Sequence, residues 1–348
     1  MLFPPQIYFE YSSFPRPDRD YRRNLDRILD NINLYVGLII FLFGIGGNIF
    51  NILILFERTL RSNTCIMIFI GSSFTDIVTI ISGLIFRILY NWDLDISDSV
   101  RWVCKLKNFM LFSFRSATYW LIMLATIDRW IVSSINARIR RLCSRKNALR
   151  CILMIIIFSM IIHVHLFYCF ETNVERGPQR CFNKDETCRL VADLMFAVVT
   201  ILFPIILIII FGLLTISNIR SSQSRIDPTG MSIISPNSLP GSENRRRRNE
   251  KYQKTDRYLF TMLFIQVILL SCLTLPMAIQ RFYSTLTMNE DKTRLQRTID
   301  RFTYQITHLL TFAASGTQFY VNTLSGGQVF RKALIDFFQW IIRKIKCK

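Results

Sequence analysis

Residues 32–56 run for 25 positions without one charged side chain. About 20 apolar residues cross a bilayer, and no water is available there to satisfy backbone N–H and C=O groups, so such a stretch must close into a helix. Residues 152–170 and 196–219 are equally uncharged. A soluble chain of 348 residues carries more charge than 19%; with 51% hydrophobic residues and a mean hydropathy of +0.30, this one reads as an integral membrane protein.

Seven candidate spans follow, at about 32–56, 64–89, 104–134, 147–170, 191–219, 256–282 and 299–325. Gln266, His308 and Gln318 interrupt the last two, and polar side chains within a span face the bundle interior. The expected fold is all-α, a seven-transmembrane helix bundle occupying residues 32–325. Residues 1–31 hold Arg16, Arg19, Arg22, Arg23 and Arg27 with no apolar core, so they are read as an extracellular segment rather than a signal peptide. With that terminus outside, inner segments hold 24 of the 43 basic residues but only six of the 24 acidic ones. The net charge of +19 therefore reflects membrane topology and implies no nucleic acid.

The inner segment at about 220–254 is rich in Ser, Pro and Gly and reads as a disordered loop, with Arg245 to Arg248 near its end suited to anionic lipid or simply to solvation. Residues 326–348 form the tail. There Phe330, Leu334, Phe337, Phe338 and Ile341 share one face opposite basic residues, the pattern of an amphipathic eighth helix on the inner membrane surface. Cys347 is read as a free cysteine, with palmitoylation the alternative.

Six features then stand in order. Gly47-Asn48 lies within span one and Asp76 within span two; Cys104 opens span three and Asp128-Arg129-Trp130 closes it; Pro204 and Pro276 break spans five and six; and an amphipathic VFRKAL segment ends the set. This set resembles the rhodopsin-like (class A) G-protein-coupled receptors, in a divergent invertebrate peptide-receptor form. The chain departs from that family in reading Leu273-Thr274-Leu275-Pro276 for Cys-Trp-x-Pro, Asn322-Thr323 in place of Asn-Pro-x-x-Tyr, and Trp130 for the usual Tyr.

The resemblance implies four sites. Arg129, held by Asp128 and by Asp256 from span six, would form a switch released towards a G protein. Solvated helix ends are the bland reading of the same residues. Asp76, alone at mid-membrane, should find polar neighbours or carry a proton; alignment places Asn48, Thr118 and Ser315 beside it, a cluster that binds sodium in relatives. The family bridge would tie Cys104 to Cys181 or Cys188, with the remaining cysteine open to Cys169. Leu111 stands where amine receptors carry Asp, which argues against a monoamine.

The fourth site is a pocket. Arg87, Arg115 and Arg281 align with pocket positions, with Gln280, Gln305 and His308 nearby, and converging guanidiniums suit an acidic ligand group. Arg87 and Arg281 equally suit snorkelling to the surface, and Arg115 an internal pair with Asp76. No enzyme constellation is present, and His163-Val164-His165 reads as core rather than metal site. The expected function is a plasma-membrane receptor passing an extracellular signal, a peptide or acidic ligand, to a heterotrimeric G protein. A membrane carrier or channel and a non-signalling receptor-like protein remain alternatives.

Overall fold

The structure is a computed structural model. It describes residues 17–56, 63–90, 95–134, 136–174, 180–224, 240–287, 290–325 and, further on, 330–331, 334–337, 339 and 342–343; Cys347 lies outside these. Most side chains of 240–259, those of Arg245 to Arg248 and Asp256 included, are likewise outside the description.

Among the described residues there are seven long helical segments. Helix one is Pro17–Leu55, helix two Thr64–Tyr90, helix three Arg101–Ser133 and helix four Arg145–Ile162, the last carried on by a 3-10 turn at His163–His165 and by Leu166–Cys169. Helix five is built from Glu186–Leu194, a π-helical stretch Met195–Leu202 and Phe203–Ser224. Helix six is Pro240–Leu286, and helix seven is Arg294–Gly316 followed, after a break at Thr317, by Gln318–Ser325. Caps mark several starts: Ser144 accepts from Asn147 N–H, Asp185 from Cys188 N–H, and Thr293 with Gln296 closes a reciprocal capping box.

Helices one to six are each long and apolar enough to cross a membrane. Helix seven is not counted by apolarity, because Gln305, Thr307, His308, Thr311, Ser315, Gln318 and Asn322 are all buried along it. Its polar stripe faces the bundle, as a helix in contact with other helices rather than lipid permits. The outward surface is apolar instead, with Phe43, Ile161 and Leu213 more than 60% exposed. A surface of that kind suits contact with hydrocarbon.

Helix three is the hub, packing against helices two, four, five and six. Helices one and seven meet through backbone, since a Cβ on Gly316 would lie 3.2 Å from the Gly44 Cα. Two hydrophobic clusters, one around Leu121 and Ile122 and one around Phe112 and Phe196, fill the two ends of the bundle.

Two helices begin well before the apolar spans. Helix one starts at Pro17, not 32, and helix six at Pro240, inside the stretch read as a loop to 254. Proline suits a first helical turn, and the Arg-, Glu-, Lys- and Gln-rich residues that follow favour helix, which a hydropathy window does not register. The extension of helix one is docked: Leu29 is buried, and Asp26 lies 3.9 Å from Arg301 at the start of helix seven. The described residues between 330 and 343 are helical, with Phe330 buried against Phe319.

Candidate functional site

One end of the bundle is bolted by disulfides. Cys104, at the start of helix three, is joined to Cys181, and Cys169 to Cys188, with Cα separations of 5.7 and 5.2 Å. Between them lies a two-stranded antiparallel hairpin, β1 (Phe170–Glu171) and β2 (Phe182–Asn183), in which Phe170 pairs with Asn183 and Glu171 with Phe182. The hairpin roofs a cavity whose walls include Gly83, Arg87, Leu111, Phe112, Arg281 and His308. It holds about 20 Å³, little more than a water, whereas small-ligand sites run to several hundred. A ligand of ordinary size must widen it.

The cations around this cavity are organised by helix seven. Tyr304, His308 and Phe312 succeed one another every fourth residue, and their rings pack in sequence with centroids 5.7 and 5.0 Å apart. Arg281 of helix six lies over Tyr304, Arg87 of helix two approaches His308 Nδ1 at 3.0 Å, and Arg115 of helix three lies 4.6 Å over the Phe312 ring. Gly83 makes room for that ring, because a Cβ there would meet the Phe312 Cζ at 2.2 Å. Tyr304 and Phe312 are absent from the sequence reading, although their spacing from His308 was visible in it.

The three guanidiniums differ in their partners. Arg281 is paired with Asp193 of helix five, whose other oxygen accepts from Thr285 at 3.0 Å. Arg87 donates to the Gln305 side chain and, at 3.4 Å, to Asn33. Both arginines are buried, which sets aside snorkelling. Arg115 is 3% exposed, and its Nε and Nη2 have no hydrogen-bond partner among the described residues. No direct salt bridge joins it to Asp76 among those residues, although the two charges lie near enough to interact; its guanidinium stacks on Phe312. Gln280 reaches the Asp300 carbonyl at 3.5 Å, and Leu111 lies buried in the cavity wall. Asp193, missed in the sequence, sat four residues after Arg189 at the edge of an apolar span.

Midway along the bundle, Asp76 accepts from Thr118 at 3.2 Å and also bonds Ser315. Thr118 is linked to Thr75 at 2.7 Å. Asn48 donates to the Gly44 and Ser315 carbonyls, while its Oδ1 has no donor among the described residues. A carboxylate, two hydroxyls and an orphaned amide oxygen are hard oxygen ligands, so the donor set fits a small cation such as sodium. Further along, Gln318 of helix seven bonds Ser72, Ser73 and the Phe69 carbonyl of helix two, and Asn322 donates to Asn51 of helix one.

At the opposite end, Asp128 and Arg129 are both buried. Asp128 Oδ2 holds Arg129 Nη2 at 2.6 Å, and its Oδ1 accepts from Thr64 at 2.6 Å. Asn63, just before helix two, accepts from Arg129 at 3.0 Å and caps the helix through Cys65 N–H. These are not solvated helix ends. Asn63 and Thr64 were missed because a polar helix start has an ordinary explanation in capping. Asp256, proposed as the second carboxylate, has its side chain outside the described residues.

Pro204 shapes helix five between these ends. In the π-helical stretch Phe203 N–H bonds the Val198 carbonyl, so the next carbonyl in register, Val199, faces a proline without N–H. Trp120 of helix three donates its indole N–H there at 3.2 Å. Pro276 lies inside helix six without ending it.

The family model described as 7 transmembrane receptor (rhodopsin family) matches residues 47–317. The chain belongs to the rhodopsin family of seven-transmembrane receptors. This receptor is also similar in fold to the solved structure of squid rhodopsin, with a TM-score of 0.70 over 90% of this chain and 87% of that one, at 17% identity. No curated protein matches the receptor in sequence.

Proposed function

We propose that the receptor sits in the plasma membrane with its disulfide end and N-terminus outside, binds a peptide at that end, and activates a heterotrimeric G protein at the other. The observation that carries this reading is the buried Asp128–Arg129 pair with its Thr64 and Asn63 clamps. A buried charge pair is costly to break unless a replacement partner is offered, so it makes a two-state element that binding elsewhere can bias. Oxidation of cysteines belongs outside the cell, which supports the orientation. Leu111 at the cavity wall supports a peptide over an amine.

Asp76, Thr118, Ser315 and the Asn48 side chain would hold a sodium ion in this reading. That ion supplies the positive charge that offsets a carboxylate at mid-membrane.

The test is basal nucleotide exchange by a G protein in membranes containing the receptor. Thr64→Val and Asp256→Ala should raise exchange, and adding Arg129→Ala should abolish the rise. No exchange in any variant, with surface expression verified, would leave a carrier or a non-signalling protein ahead.

A further inference from the structure

Arg115 presents an unusual edge. In a guanidinium, Nε–H and Nη2–H point the same way and match the two oxygens of a carboxylate. Both are buried in Arg115 and have no acceptor among the described residues. Leaving a charged donor buried without an acceptor is expensive, and a native chain keeps such a group where something else completes it.

A second donor stands close by. Arginine only donates, so His308 Nδ1, 3.0 Å from Arg87, must be the acceptor of that contact, and Nε2 carries the ring proton. That Nε2 is also buried without a partner among the described residues. His308 and Arg115 pack on the same Phe312 ring, at 5.0 and 4.6 Å. His308 lines the cavity, and Arg115 lies one helical turn beyond the cavity residue Leu111. The only carboxylate paired to a guanidinium in this cluster, among the described residues, is Asp193, and it is committed to Arg281.

We infer that the Nε–Nη2 edge of Arg115, with His308 Nε2–H as a further donor, receives a carboxylate of the ligand. The ligand is therefore acidic at its deepest point, as an acidic side chain or a free C-terminus would be. Arg115 does not itself line the cavity, so the carboxylate must reach it past the cavity wall at Leu111 and His308. The inference rests on reading the disulfide end as the ligand site, and it adds the chemistry the site selects.

The test uses the purified full-length receptor in detergent, read by its thermal unfolding midpoint. Glutarate is the probe, with glutaramide as its neutral counterpart and inorganic phosphate as the other anion. Glutarate should raise the midpoint where glutaramide does not. Arg115→Gln should weaken its apparent affinity at least about tenfold, the loss of one charge-assisted pair, and Arg115→Lys should restore part of it. Without probe, Arg115→Met should raise the midpoint, because it removes a buried charge held for the ligand.

A fall in the midpoint of Arg115→Met would make the arginine a structural residue and overturn the inference. So would a glutarate shift unchanged in Arg115→Gln, one matched by glutaramide, no shift in the wild type, or a shift given by phosphate alone. None of these outcomes touches the nucleotide-exchange test of Arg129, so the two readings fail separately.

Discussion

The Trp120 indole donates to the Val199 carbonyl at 3.2 Å, across the contact between helices three and five. It supplies the hydrogen bond that Pro204 cannot. The same indole packs against Phe158 and Phe203, each at a centroid distance of 5.5 Å. Trp120→Phe keeps much of the ring packing and removes the donor. We expect a loss of about 1 kcal/mol, the usual net worth of a buried hydrogen bond, seen as a lower thermal midpoint. An unchanged midpoint would mean that water serves Val199 as well as Trp120 does.

Helices one and seven should tolerate no side chain at their crossing. Gly316→Val places branched carbons where the Gly44 backbone already lies 3.2 Å from a first carbon. We expect a loss of about 2 kcal/mol or more and little folded receptor at the cell surface. Gly46 has nothing within 4 Å, so Gly46→Ala should be neutral or gain up to about 1 kcal/mol from helix propensity. Quantifying surface receptor for the two variants compares the crossing with an open position on helix one, two residues from Gly44.

Cys143 reports on the Asp128 end. Burial, and then the charge of Asp128, push its thiol up to about 12, and its Sγ lies 3.8 Å from the Asp128 carbonyl. The thiolate is the reactive form, so alkylation by N-ethylmaleimide at pH 7.5 should be slow and should quicken as pH rises. Asp128→Asn should speed it several-fold by removing the negative charge. Mass spectrometry of the Cys143 peptide over time gives the rate, and equal rates in both proteins would disconnect Cys143 from Asp128.

Asp98, in the segment between helices two and three, gives a pH effect of known sign. Burial first, then the neighbouring Asp95, raise its carboxyl above the ordinary carboxylate range, against the pull of Lys107 and Arg180. A raised acid is destabilising when ionised, so its cost is present above its folded value and disappears as pH falls below the unfolded one. Asp98→Asn should therefore raise the thermal midpoint at pH 7, with the gain shrinking towards pH 4. A gain that grows on acidification would reverse the assignment.

The membrane-crossing parts of this fold were legible because hydropathy reads what lies in lipid: helix two, expected at about 64–89, is Thr64–Tyr90. Where helices leave the hydrocarbon the same signal stops, so the docked extension at Leu29 and the start of helix six at Pro240 were invisible to it. Arg87, Arg115 and Arg281 drew notice as charges in apolar surroundings. Tyr304 and Phe312 did not, since an aromatic in a membrane helix is ordinary until neighbouring helices set a guanidinium on its face. Asp193 was hidden differently: its partner Arg281 is 88 residues away, and only the packing of helices five and six brings the two together.

Arg115 and Arg129 are carried on one unbroken helix, fourteen residues apart. At 1.5 Å per residue that is about 21 Å and nearly four whole turns, so both arginines leave the rod in almost the same direction. A twist of the rod about its long axis swings both through the same angle, and a push along the axis shifts both equally. Movements at the middle of the bundle and at its Asp128 end thus share one mechanical coordinate, with no soft joint between them to absorb the displacement.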